Sequence, residues 1–276
     1  MSTQFLFFSK NGQILPIEQA VIPLSNIEYS YGFGVYESLK VRHGVLYFVD
    51  QHVERLFQSA RIIDLPHPFI KEDVKRYIEE LVTKLEVDAC NIKMLLIGGK
   101  EPQLFIMALA PLFPDRKLYS DGAKTLTVHY ERLYPNAKTL NMFPSYMAYK
   151  KAKSAGCYDG LLINREGNII EGTRTNFFAL KVNVLYTPPL EEVLEGVTRQ
   201  TVIAVALKNG FKLVEQDIPL TKIGEYDGAF LTSTSTKMIP IKQIDEFEFP
   251  EIPAALKQLM KLYDEFLDSS KGIFKD

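Results

Sequence analysis

The sequence predicts an α+β fold in two domains, on three observations. Up to Ala110, short β-rich runs closed by Asn, Gly and His turns share the chain with two stretches whose apolar residues recur at helical spacing. A Pro-containing segment, Pro111 to Asp115, then breaks the pattern. Beyond it, strands and helices alternate to the end of the chain. At 276 residues the chain can build two cores. The boundary is placed at about 111 to 123, dividing an N-terminal α+β domain (1–115) from a C-terminal domain (123–276).

The elements follow in order. Phe5 to Phe8 and Gln13 to Ile17 flank Asn11-Gly12 and read as a hairpin. Val35 to Val41 and Val45 to Val49 flank Arg42-His43-Gly44 as a second one. Asp50 has the chemistry of an N-cap for a helix over about 51–63, with Val53, Leu56, Phe57 and Ala60 on its inner face. A second helix over about 71–86 carries Val74, Ile78, Leu81 and Leu85, and the strands Ile92 to Ile97 and Leu104 to Ala110 follow. In the second half Thr125 to Tyr130 is a strand, and a helix starts near 144 with Pro144 in its first turn. Gly160 to Asn164, Ile169-Ile170 and Asn176 to Tyr186 read as strands. A helix over about 199–209, ended by Asn209-Gly210, turns Val202, Ile203, Val205 and Ala206 inward. Strands at 211–215 and 229–232 and an amphipathic helix over about 253–268 close the chain.

Hydrophobic residues at 46% and charged residues at 24% are the balance of a soluble globular protein. A net charge of −2 argues against a nucleic-acid or anionic-membrane partner, each of which needs a basic face, and leaves a small molecule as the expected partner. Lys150, Lys151 and Lys153 accordingly read as a solvated helix face. The two cysteines, Cys90 and Cys157, lack the short spacing of a metal site and read as buried thiols. Met1 to Phe8 has neither a basic leader nor a run of about 18 apolar residues, so a soluble, cytoplasmic protein is expected.

Chemistry concentrates in four segments. Lys138, in Asn136 to Asn141, is either a solvated side chain or an amine that burial and neighbouring charge make nucleophilic. Glu171, at the end of an apolar strand and followed by Gly172-Thr173-Arg174-Thr175-Asn176, is either part of an edge turn or a carboxylate aimed into a site. Leu194 to Arg199 opens a helix whose first amides could hold a phosphate, unless Thr198 is simply its N-cap. The hydroxyl run Thr232 to Thr236 follows a strand and offers donors to an anion, as many polar loops do.

Taken together, Lys-Thr-Leu-Asn at 138–141, Glu-Gly-Thr-x-x-Asn at 171–176, Glu-Gly-Val-Thr-Arg at 195–199 and Thr-Ser-Thr at 232–234 resemble the ordered motifs of the fold-type IV pyridoxal 5′-phosphate (PLP) enzymes. That family includes branched-chain and D-amino-acid aminotransferases and aminodeoxychorismate lyases. Tyr31 to Glu37 and His52-Val53-Glu54-Arg55-Leu56 resemble its glycine-aromatic-glutamate strand and His-x-x-Arg-Leu helix. The resemblance implies a smaller N-terminal α/β domain and a larger C-terminal pseudo-barrel, PLP as cofactor, a homodimer, and an amino acid and a 2-keto acid as substrates. It implies Lys138 as the lysine that holds PLP as a Schiff base and moves the substrate proton, and Glu171 as partner of the pyridine nitrogen. Arg55, the Val197 and Thr198 amides and Thr234 would bind the phosphate, while Tyr36, Lys93 and Ser235 would line the substrate side. His52 fits a helix-face histidine better than a catalytic base.

Several positions depart from the family pattern. Gly32-Phe33-Gly34 replaces its usual Gly-Asp-Gly, Phe143 stands where branched-chain enzymes carry a tyrosine, and Met94-Leu95-Leu96-Ile97 lacks the Arg-x-His of some D-specific enzymes. Lys93 is the one cation on that strand, as the lyases tolerate. Transamination is therefore expected, with aminodeoxychorismate cleavage to pyruvate and 4-aminobenzoate, or non-catalytic PLP binding, as alternatives.

Overall fold

A computed structural model describes residues 5–111 and 113–269. Residues 1–4, Leu112 and 270–276 lie outside it, and with them the start of the N-terminal reading, one residue of the Pro-containing segment and the extreme ends of the two expected domains. The chain forms two compact units, one from the residues up to Pro111 together with Ala137–Met142, the other from Phe113–Asn136 and from Phe143 onward. Residues 137–142 fall in the expected C-terminal stretch, yet group with the first unit because their backbone is hydrogen-bonded to one of its strands.

The first unit contains β1 (Phe7–Lys10), β2 (Gln13–Pro16), the short helix α1 (Ile27–Ser30), β3 (Gly34–Arg42), β4 (Val45–Leu46), α2 (Val49–Ile62), α3 (Lys71–Leu85), β5 (Ala89–Ile97) and β6 (Gln103–Leu109). Its strands form one antiparallel sheet in the order β2-β1-β6-β5-β3-β4. Both tight hairpins have left-handed central residues, Asn11-Gly12 and His43-Gly44, which matches the right-handed twist of the strands they join. Alternation decides the faces: Val35, Leu39 and Val41 of β3 and Ile92, Met94 and Leu96 of β5 pack with Val53, Leu56 and Ala60 of α2 and Val74, Ile78 and Leu81 of α3. Burying each such aliphatic side chain contributes about 1.5–3 kcal/mol.

Two expectations fail here. The second hairpin strand stops at Leu46, and Phe48, at φ 57°, turns the chain into a helix that starts at Val49. Phe48 is therefore the N-cap. Asp50 lies inside the first turn, 2.6 Å from Lys75, where its charge still favours the helix dipole.

The second unit contains α4 (Lys117–Ser120), β7 (Ala123–His129), α5 (Phe143–Ser154), β8 (Asp159–Ile163), β9 (Ile169–Gly172), β10 (Asn176–Lys181), β11 (Val184–Thr187), α6 (Val197–Lys208), β12 (Lys212–Glu215), β13 (Gly228–Ser233), β14 (Lys237–Ile244), β15 (Phe247–Glu248) and α7 (Ala254–Ser269). The pairing β10-β13-β14-β7-β8-β9 returns to β10 through Asn176↔Glu171, so the strands close into the expected barrel-like ring. β11 and β12 extend the sheet from β10, and β15 pairs with β14. Leu161, Ile163, Ile169, Phe177, Ala179, Leu231, Ile241 and Ile244 pack together on one face of these strands. On the other face Phe178 stacks on Phe230, ring centroids 4.9 Å apart.

The run Asn176 to Tyr186 is two strands, folded back at Val182, which adopts φ 54°. β14 has no counterpart among the expected strands; Pro240 lies within it and has no N–H to offer the sheet. α6 begins at Val197, two residues before the expected start, and its Ile203 is half-buried rather than inward. Among the described residues no helix is long and apolar enough to cross a membrane.

Candidate active site

In the first unit, Lys138 is positioned by its backbone. Residues 137–140 run along the edge of β3 that β4 leaves open, since β4 pairs only with Val41 and Arg42. Tyr36 N–H donates to Lys138 O at 2.9 Å, Leu140 N–H to Gly34 O at 2.8 Å, and Lys138 N–H to Ser59 Oγ on α2 at 3.1 Å. The lysine main chain is thus held from a strand and a helix at once. Its half-buried side chain places Nζ 4.5 Å from the centroid of the Tyr36 ring. Lys93 reaches the same ring, at 5.8 Å, because Ser38↔Lys93 and Tyr36↔Leu95 are neighbouring pairs that put these side chains on one sheet face.

The opposite face of β3 carries a buried polar cluster. Glu37 is fully buried in the strand phase that otherwise supplies Val35, Leu39 and Val41 to the core. Arg55 Nε donates to its Oε1 at 2.6 Å and Arg55 Nη2 to its Oε2 at 2.9 Å, while His52 Nδ1 lies 2.8 Å from Oε2. Burial pushes the Glu37 carboxyl up, but the Arg55 guanidinium and the His52 hydrogen bond outweigh it and hold it well below the usual carboxylate range. Burial lowers His52 most, with Arg55 and Lys138 adding to it, and the bond to Glu37 only partly offsets this. His52 is therefore neutral, its Nδ1–H donating to Glu37. It serves as a helix-face residue, in keeping with its sequence reading.

In the second unit, Glu171 closes β9 and is buried. Arg132 Nε stands 2.9 Å from Oε1, within ion-pair range but without the alignment of a hydrogen bond. The Asn176 amide donates to Oε2 at 3.4 Å and to Leu194 O at 2.8 Å, and Leu194 N–H also faces Oε2 at 3.4 Å. The turn after Glu171 is pinned by buried Asp159, which accepts from Gly160 N–H at 2.9 Å, from the Thr175 hydroxyl at 3.0 Å and from the Thr173 hydroxyl. Glu171 is thus a held carboxylate rather than an edge residue.

Gly196 is the N-cap of α6 and supplies no side-chain cap. Thr198 is not the cap: it lies in the first turn and is buried. The first-turn amides of Val197 and Thr198 have no acceptor one turn back within the helix. The hydroxyl run is the tight turn between β13 and β14. Ser233 Oγ and Thr236 Oγ1 lie 2.7 Å apart, and Tyr158 Oη is 3.1 Å from Thr236 Oγ1, so these hydroxyls brace the turn while half-buried Thr234 and Ser235 occupy its tip.

Arg132, Asp159 and the pairing of Glu37 with Arg55 and His52 escaped the sequence reading. For Glu37 a signal was available: a carboxylate in the buried phase of an alternating strand needs cationic partners, and His52 and Arg55 sit at i and i+3 on the following helix. Asp159 and Arg132 carried no such periodic signal.

Comparison with known proteins adds a family match. The family model described as amino-transferase class IV matches residues 34–244. The chain is 29% identical over 247 residues to a D-alanine aminotransferase of Bacillus licheniformis, covering 85% of this chain and 87% of that one. It is 25% identical over 256 residues to a branched-chain-amino-acid aminotransferase of Pseudomonas aeruginosa, covering 85% and 83%. Its fold matches the branched-chain aminotransferase of the thermophilic archaeon Thermoproteus uzoniensis, solved with norvaline, at a TM-score of 0.89 and 25% identity over 98% of this chain and 97% of that one.

Proposed function

The chain belongs to the class IV aminotransferases and is a transaminase, and on that premise we propose that it works with PLP attached at Lys138, moving an amino group from an amino acid to a 2-keto acid. The observation that carries this reading is the placement of Lys138, with its backbone clamped by β3 and Ser59 and its amine over the Tyr36 ring. The donor set also fits the cofactor. Glu171 is a buried, oriented carboxylate of the kind a pyridine nitrogen needs, and the α6 amides of Val197 and Thr198, Thr234 and Arg55 supply the donors a phosphate needs.

Bound PLP supplies an electron sink for the pair released when the substrate Cα–H bond breaks. Lys138 Nζ would hold the cofactor, and the same amine, once free, would serve as general base for the substrate Cα proton. Glu171 would face the ring nitrogen, and the residues expected to hold the phosphate would be Arg55, the Val197 and Thr198 amides and Thr234. Tyr36, Lys93 and Ser235 bound the substrate side. The named relatives are aminotransferases of both D-alanine and branched-chain type, and none is a lyase. We further propose a homodimer, which would cover Leu24, Ile27 and Tyr31, all exposed on the first unit.

The test is spectroscopic. The PLP-loaded protein should show a visible absorption band that shifts when an amino acid is added, and a screen of L- and D-amino acids should identify the substrate class. Lys138→Ala should abolish the shift. A band unchanged in Lys138→Ala would overturn the reading.

A further inference from the structure

Arg132 lies outside the set of groups assigned to cofactor or substrate, yet its Nε stands 2.9 Å from Glu171 Oε1. Its Nη2 donates to Thr173 O at 3.2 Å, so the guanidinium spans the carboxylate and the backbone of the turn that follows it. The segment that carries Arg132 is itself fastened. Tyr130 N–H donates to Ile163 O at 3.1 Å, and Glu131 Oε1 accepts from Arg165 N–H at 2.6 Å. The pair is shielded from water, with the Glu171 side chain 3% exposed and that of Arg132 19%.

The other groups around this turn supply no counter-charge at such range. Oε2 faces neutral donors, the Asn176 amide and Leu194 N–H, both at 3.4 Å. Asp159, which accepts from the Thr173 and Thr175 hydroxyls, adds a second buried carboxylate to the same turn. Arg174 is exposed, and its guanidinium lies over the Tyr149 ring, 3.9 Å from the centroid.

A carboxylate and a pyridine nitrogen can share one proton in two ways. With the proton on nitrogen both groups are charged, and with the proton on the carboxyl both are neutral. Burial favours the neutral arrangement, which deprives the ring of its power as an electron sink. A guanidinium beside the carboxylate reverses the balance, because it stays charged and favours the ionised acid next to it.

We infer that Arg132 is a positioning residue: through its ion pair with Oε1 and its bond to Thr173 O it keeps Glu171 ionised and oriented, so that the proton rests on the ring nitrogen of the cofactor. The inference rests on the proposed role of Glu171.

Its test reads that proton. PLP carrying heavy nitrogen in its ring is loaded onto the parent protein, Arg132→Met, Arg132→Lys and Glu171→Gln, and the ring-nitrogen resonance is followed by NMR. The parent should show a protonated ring. In Arg132→Met the ratio of protonated to neutral ring should fall about tenfold or more, as expected when an opposite charge is removed from beside a carboxylate. Arg132→Lys, which keeps a cation, should stay closer to the parent than to Arg132→Met. Should Arg132→Met fail to fold, Arg132→Gln, which retains a donor for Thr173 O without the charge, should show the same fall. A resonance that stays at the parent's position in the uncharged variants, with only stability or PLP affinity reduced, would make the role of Arg132 merely structural and overturn the inference. So would an equal fall in Arg132→Lys and Arg132→Met. A ring already neutral in the parent, or still protonated in Glu171→Gln, would instead overturn the role of Glu171.

Discussion

Replacing Gly196 by alanine tests how the start of α6 is fitted to the Glu171 site. Gly196 has φ −67° and ψ 131°, a conformation open to any residue, so the substitution carries no backbone strain. The added Cβ would fall on Asn176 Oδ1, well inside van der Waals contact, and 3.2 Å from Arg199 Cβ. Asn176 must then swing away, losing its bond to Leu194 O at 2.8 Å and the longer one to Glu171 Oε2 at 3.4 Å. Overpacking costs about 1–3 kcal/mol and a lost buried hydrogen bond about 1 kcal/mol. The reduced freedom of the unfolded chain returns about 0.4–1 kcal/mol, for a net destabilisation of about 1–3 kcal/mol. Urea denaturation of Gly196→Ala, Asn176→Ala and the double variant measures it. Removing the Asn176 side chain first makes room for the methyl, so the alanine at 196 should cost almost nothing in that background, with a coupling of about 1–3 kcal/mol. A Gly196→Ala penalty equal in both backgrounds, or none in the parent, would refute the reasoning.

Asp159→Ala should destabilise by about 2–5 kcal/mol in the same assay, because Gly160 N–H and the Thr173 and Thr175 hydroxyls lose a buried acceptor; a loss under about 1 kcal/mol would mean that water replaces it. Stability should also fall on acidification. His52 and Glu37 are both shifted below their ordinary values of 6.5 and 4.5, so the unfolded chain binds more protons first below about pH 6.5 and again below about 4.5. Their contributions are complete above those values and are lost as the pH drops toward the folded-state values. His52→Asn should flatten the first decline in Tm and Glu37→Gln the second, and a Tm that rises on acidification would contradict the assignment.

Local chemistry made much of this protein legible from its sequence. The Asn11-Gly12 turn and the 3.6-residue spacing of α2, α3 and α7 depend on residues close together in the chain, and the structure contains all of them. The ordered motifs around Lys138, Glu171 and Gly196 carried the family resemblance for the same reason, and the match over 34–244 agrees with it. Helix starts were read less well: Phe48 caps α2 through a left-handed backbone that no side chain announces, and α6 is capped by a glycine.

Sequence by itself determined the fold class and the family, and it singled out Lys138 and Glu171 as the expected lysine and carboxylate. Tertiary structure alone decided how they are held, because the partners are distant in the chain: Lys138 against Ser59 and Tyr36, and Glu37 against His52 and Arg55. The same holds where Asp159 meets Thr173 and Thr175, and where Asn176 meets Leu194. A buried charge must find its counter-charge wherever packing brings one, and neither spacing nor periodicity encodes that meeting.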